Sequence, residues 1–449
     1  MKFRYINFEK IVAATVLFIS AWNETVPIAA ATEIPWIFRP IQVVYGISIE
    51  QFILILIFPT IFITNQFKNY LTNRYTNAIS MIFWALGFIG VLSNCFNFIN
   101  ILEFGESIRL ILFGFFLIWL ERCAIRFGTE FCLRCVIYGL AMGGAINIFF
   151  SFQINNVIVG TIPLLIGQAG PGPALGLLVI LSAWAYSLTK KYFLKTICVI
   201  ACLIGLYGGI ASWSKISLLL IITGLIPWAI LILSQPRKIK IVLIILIFTI
   251  GFIFKNDSSI SEIKDSVDEI ISKKLSSEDH DLNNPDSKVW GERFVYHIAV
   301  LEIVVSHPLL GVGYAGFGTA YKETAASKMQ HAYNEESNQI HSSESNPHST
   351  WLYYASANGI PGLLFLFFWM LNISFVLYKA SKLAPNAGRS IGLAIVAAIF
   401  IWSISVPTIL QSSLILSLVG IACATQRRPA HLAVRMTQDL DKRLPLMSN

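Results

Sequence analysis

Charge is scarce in this chain. Only 13% of its 449 residues are Asp, Glu, Lys or Arg, while 55% are hydrophobic and the mean hydropathy is +0.67. So little charge amid so much apolar sequence excludes a soluble globular domain. The short alternating segments of a membrane β-barrel are missing too. No phosphate-binding loop, Rossmann glycine pattern or H-E-x-x-H occurs, so ATP-driven transport and zinc hydrolysis have no support. Cysteine is absent from the longest polar stretch, 255–350, which therefore relies on no disulfide. The seven cysteines (95, 123, 132, 135, 198, 202, 423) lie in or beside apolar runs. Cys132 and Cys135 form a C-x-x-C at the end of one run, where small apolar packing is the default reading.

What is present is a series of apolar stretches of about 20 residues, long enough to cross about 30 Å of hydrocarbon as helices. Twelve candidate spans follow: 11–31, 43–63, 78–99, 107–121, 133–153, 172–188, 195–212, 216–233, 239–254, 360–378, 389–406 and 409–425. The expected fold is an all-α polytopic membrane protein, with one large, mainly helical loop between spans nine and ten. Its parts are 1–254 with nine spans, the loop 255–350, 351–425 with a helix break and three spans, and a basic tail 426–449. Charge orients it. With the N-terminus inside, every short basic loop falls on one side: Lys68 and Arg74; Arg122, Arg126 and Arg134; Lys190, Lys191 and Lys195; Arg237, Lys238 and Lys240; Lys379, Lys382 and Arg389. Both termini are then cytoplasmic. Lys2, Arg4, Lys10 and Ala29-Ala30-Ala31 resemble a signal peptide, but Asn23 and Glu24 interrupt the apolar run, and a retained first span is expected.

The polar loop lies outside by this topology. It carries 15 acids against 8 bases, so the net +8 belongs to the cytoplasmic side and speaks to lipid rather than nucleic acid. It also holds six of the seven histidines. Apolar residues at helical spacing predict a surface helix over 262–275, then a Ser/Asp/Asn-rich linker at 276–288. A second helix is expected from Glu292 to Ser306, stopped by Pro308, with Arg293 and His297 four apart on one face. Leu310 to Gly318 is too glycine-rich for a helix and suits a tight turn.

Asn346 is a good N-cap and Pro347 suits a first helical position, which would put His348 in the first turn. There the helix dipole disfavours imidazolium, and nearby backbone N–H groups favour phosphate. His348 reads equally as a base beside an anion site and as an interfacial polar residue. Gly359, Pro361 and Gly362 should interrupt the helix that follows.

Gly291-Glu292-Arg293, His307-Pro308-Leu309-Leu310-Gly311-Val312-Gly313 with Phe317, and His348 followed by Leu352 and Gly359-Ile360-Pro361-Gly362 resemble the core pattern of the O-antigen ligase and polymerase superfamily. The resemblance implies a glycosyltransferase of the bacterial inner membrane, GT-C-like and independent of metal and nucleotide, with no cofactor. Its donor would be a glycan on undecaprenyl pyrophosphate and, in the ligases, its acceptor a sugar hydroxyl of lipid A-core, met on the periplasmic face. His348 corresponds to the family's essential histidine and Arg293 to its loop arginine. Where a second arginine usually follows a serine, Ser214-Lys215 stands here. Lysine keeps the charge and loses the planar two-point grip. Ser349 replaces a frequent asparagine.

The chemistry agrees. A departing pyrophosphate needs cations, and Arg39, Arg109, Lys215 and Arg293 all fall at or near the outer face. A hydroxyl acceptor needs a base, for which His348 is best placed. A single displacement would invert the anomeric centre. Weaker candidates are His297, able to assist Arg293, and Glu50, an acid within a span that either pairs with a cation or lines the lipid-carrier groove. Tyr314 and Phe317 either stack on sugar or pack, His307 reads as structural, and no histidines are spaced as metal ligands. The alternatives are an O-antigen polymerase, a protein O-oligosaccharyltransferase, and a non-enzymatic polysaccharide transporter or flippase. The last would place charge at mid-membrane and show repeats. A chain ending soon after its last span favours ligase or polymerase over the protein-modifying type.

Overall fold

A computed structural model describes residues 2–25, 42–44, 47–48, 74–97, 105–154, 158–159, 162–163, 171–212, 214–234, 285–314, 316–328, 347, 349–405, 410 and 412–426. Among these, ten helices pack as one bundle: α1 (Lys2–Thr25), α2 (Arg74–Phe96), α3 (Gly105–Phe127), α4 (Thr129–Ile154), α5 (Pro171–Leu188), α6 (Tyr192–Ala211), α7 (Lys215–Leu233), α10 (Thr350–Lys382), α11 (Gly388–Ser405) and α12 (Ser413–Thr425). Two further helices, α8 (Pro285–Ser306) and α9 (Phe317–Glu323), lie between α7 and α10 in sequence and pack on α10. Six of the helices (α2, α4, α5, α6, α7 and α10) are long and apolar enough to cross a membrane. The protein is a multi-pass membrane protein, helical among the described residues apart from two short hairpins.

Ten of the twelve expected spans overlap these helices, six of which are long and apolar enough to cross a membrane. The other two, 43–63 and 239–254, fall outside the described residues except at the start of 43–63. There β1 (Gln42–Val44) pairs antiparallel with β2 (Ile47–Ser48), so the segment opens as a hairpin and not as a helix. Val43, Val44 and Ile47 are β-branched and favour strand locally. A second small hairpin joins β3 (Ile158–Val159) to β4 (Ile162–Pro163). The expected helix 262–275 and the linker 276–288 lie outside the described residues up to 284; over 285–288 the expected linker is instead the start of α8.

Pattern explains position. α5 is buried continuously from Pro171 to Ala185, as a helix apolar on all sides must be, and is wrapped by α4, α6, α7 and α11. α12 is likewise buried along its whole length. The outer helices keep large apolar residues such as Phe88, Ile222 and Phe368 facing outward, where hydrocarbon would meet them.

Charges within the bundle find partners. Glu9 of α1 pairs with Arg122 (3.6 Å) and Arg126 of α3. Glu24, an acid inside the first span, accepts a hydrogen bond from the Ser412 hydroxyl at 2.6 Å. Ser412 is the N-cap of α12 and also accepts from the Ile415 amide, so this acid ends α1 against the start of another helix. The Cys132 and Cys135 side chains are buried in the core.

Candidate functional site

α10 is two helices read as one. At Gly359 the backbone turns to φ 64°, ψ −154°, and Pro361 follows. A helix broken here strands three groups. The Ser356 carbonyl loses the Ile360 amide, and Ala357 faces Pro361, which has no N–H to offer. The glycine loop after α8 supplies what is missing. Val312 N–H donates to Ser356 O at 2.8 Å and Gly313 N–H to Ala357 O at 2.9 Å, while Ile360 N–H donates to Pro308 O at 2.9 Å. The loop and the break are complementary halves of one joint.

Glycine is required on both sides of it. Gly311 (φ +63°) and Gly359 (φ +64°) adopt left-handed backbone, and a Cβ on either would run into the other half: Ser356 O for Gly311, Pro308 O for Gly359. The expected tight turn at 310–318 and the expected interruption at 359–362 are thus a single structure.

Around the joint a polar cluster fixes the end of α2 and the start of α3. Tyr314 is buried, its hydroxyl donating to Leu86 O (3.3 Å) and accepting from the Asn358 amide (2.6 Å). Its ring stacks on Tyr353 with centroids 5.8 Å apart, and Gly90 of α2 leaves room for it. Burial pushes the Tyr314 phenol up from its usual range, so it stays a neutral donor. The Tyr353 hydroxyl donates to the Glu106 carboxylate at 2.7 Å in the first turn of α3. Asn97, just after α2, reaches Gly311 O at 3.3 Å, and the Trp351 indole donates to Ser403 of α11 at 3.1 Å.

These bonds set the start of α10. Ser349, buried and extended (φ −149°, ψ 135°), is its N-cap, and the first intrahelical bond runs from Tyr353 N–H to Ser349 O at 2.8 Å. This corrects the expected start at Asn346. The helix begins at Thr350, so His348 precedes the N-cap and is not in the first turn. His348 itself lies outside the described residues; its neighbour Pro347 is buried.

The other candidates divide as follows. Arg293 lies within α8, its side chain outside the described residues. The rotation of α8 is set by Tyr296, Ala299, Val300 and Ile303, which pack on Phe317, Tyr321 and Ala355 in a small second core. That packing leaves His297 exposed, as is His307. Lys215 is exposed as the first residue of α7, with Ser214 as N-cap. Arg109 is half-buried one turn into α3, after Glu106. Arg39 and Glu50 lie outside the described residues. Tyr314 and Phe317 are packing residues here, too deeply buried to stack on sugar, which corrects that option. Among the described residues no three His, Cys, Asp or Glu side chains gather as metal ligands would.

Glu106, Tyr353 and Asn358 were not picked out from sequence. Only Glu106 left a signal, an acid opening an apolar helix with Arg109 three residues on.

Residues 200–367 match the family described as O-Antigen ligase. Over this stretch the chain is similar to the O-antigen ligase family, which supports the superfamily resemblance read from its motifs. The O-antigen ligase match begins inside α6. It takes in Lys215, α8 with Arg293, the glycine loop, His348 and the Gly359 break, and ends in α10. No curated protein matches the chain.

Proposed function

We propose that the protein is an O-antigen ligase, transferring a glycan from undecaprenyl pyrophosphate to a sugar hydroxyl of lipid A-core at the periplasmic face of the inner membrane. The observation that carries this is the family match over 200–367, which contains His348, Arg293 and Lys215 together with both halves of the loop–break joint. The joint anchors the segment that His348 enters. The ends of α3, α7 and α10 bearing Arg109, Lys215 and Ser349 open away from the basic loops, which supports an outward-facing site.

In the reaction, His348 accepts the proton of the acceptor hydroxyl as its oxygen attacks the anomeric carbon. The carbon–oxygen bond to the diphosphate breaks in the same displacement, with inversion, and undecaprenyl pyrophosphate departs. Arg293 and Lys215, with Arg39 and Arg109 as further outer cations, hold the diphosphate and balance its growing charge. The proton then passes from His348 to solvent.

The test is lipopolysaccharide from a deletion strain on a gel beside its lipid-linked glycans, complemented with wild type or His348→Ala. Bare lipid A-core with long glycan on the carrier is expected in the deletion and in the variant. Core bearing one repeat unit would make the protein a polymerase. A normal ladder would sink both readings and point to glycoproteins or to transport.

A further inference from the structure

On the outward side of α10 and α11 runs a groove of ≈ 570 Å³ that the proposed reaction does not use, lined by Phe368, Leu371, Phe375 and Tyr378 of α10 with Leu393 and Val396 of α11. At 1.5 Å per residue, Phe368 to Tyr378 covers about 15 Å, half of a hydrocarbon core of about 30 Å. The groove is therefore one leaflet long, and it lies toward the basic end of α10.

That end is closed by an unusual group. Tyr75, at the start of α2, packs on Phe375 with ring centroids 5.6 Å apart. Arg74 lies over the Tyr75 ring at 4.8 Å and donates to its hydroxyl at 2.7 Å. Lys379 sits 4.7 Å from the Phe375 ring and 5.8 Å from that of Tyr75. Among the described residues neither cation pairs with a carboxylate, whereas Arg122, Arg126 and Arg134 at the same end all pair with Glu9 or Glu130. Two cations held on aromatic faces at the mouth of an apolar groove, with no ion-paired acid among the described residues, complement a headgroup that carries negative charge.

We propose that this groove binds an anionic phospholipid, one acyl chain lying along α10 and the phosphate resting between Arg74 and Lys379. Aromatic faces hold both cations at the groove mouth, so less side-chain entropy is lost when the phosphate arrives. The bound lipid would bridge α2, α10 and α11 at the end opposite the glycine joint.

The test uses the full chain in nanodiscs of equal parts phosphatidylglycerol and phosphatidylcholine, with lipid carried through detergent extraction counted by mass spectrometry. Phosphatidylglycerol should be retained selectively, and its retention should fall as salt rises. Each of Arg74→Ala and Lys379→Ala should reduce it about fivefold, from the roughly 1 kcal/mol that a basic residue contributes at an anionic surface. Leu393→Trp, which fills the groove and leaves both cations, should abolish it. Equal retention of the two lipids, or selective retention insensitive to salt and to both alanine variants, would overturn the proposal. So would a disulfide-linked dimer formed by Leu393→Cys in the membrane, which would make this face an interface between copies.

Discussion

Tyr353 joins two roles that the local sequence keeps apart. Its ring packs on Tyr314 within the glycine loop, and its hydroxyl holds Glu106 at the start of α3. It also stands one turn inside the helix that Ser349 caps. Tyr353→Phe keeps the ring and removes a hydrogen bond to a charged acceptor, of the order of 1.5–3 kcal/mol. We expect a chain that still folds and inserts, with kcat lowered about tenfold and the donor KM little changed. A merely structural residue would instead lower protein yield and leave kcat alone. Lys215 makes the opposite prediction. If it grips the diphosphate, Lys215→Met should raise the donor KM about tenfold, the loss of one charge-assisted contact. Lys215→Arg should retain or improve binding, since a guanidinium offers two donors to one phosphate. Steady-state ligation with purified lipid-linked glycan reads both.

At the scale of elements, the glycine loop and the broken helix are each incomplete alone. The break leaves carbonyls that the Val312 and Gly313 amides satisfy, with the Ser93 hydroxyl also donating to Ala357 O, and a Cβ on Gly359 would strike the Pro308 carbonyl. Gly359→Ala therefore combines left-handed strain of about 1–3 kcal/mol with a backbone clash. Hydrogen exchange should find the Val312 and Gly313 amides protected in the wild type and exchanging together, much faster, in Gly359→Ala. Unchanged protection would mean that the joint is not what holds the loop. Each half was legible as a motif: a glycine-rich turn and a Gly-x-Pro-Gly interruption. Their pairing was not, because nothing in either stretch names its partner. The same applies to the start of α10. Asn346-Pro347 is the better local cap, yet Ser349 is the N-cap and the helix starts at Thr350, where the Ser403, Glu106 and Ser356 contacts already fix the neighbouring turns.

For the whole molecule, the basic loops predict the side on which 255–350 lies. In a Cys95→Ser background, which removes the exposed native thiol, Ser277→Cys should react with a membrane-impermeant maleimide in outer-membrane-permeabilised cells. Lys382→Cys should react only after the inner membrane is opened. The reverse pattern would invert the topology and take the proposed site off the periplasmic face.

The sequence alone determined the membrane class, most of the helices among the described residues, the polar stretch and the family pattern. These depend on sums over neighbouring residues, hydropathy along a helix and charge along a loop, and such sums need no folded partner. Only the tertiary structure decided how the motifs meet. Asn97 reaches a carbonyl 214 residues away and Tyr353 an acid 247 residues away. Contacts of that range depend on which helix faces which, and that is settled by packing across the bundle rather than by any window of sequence.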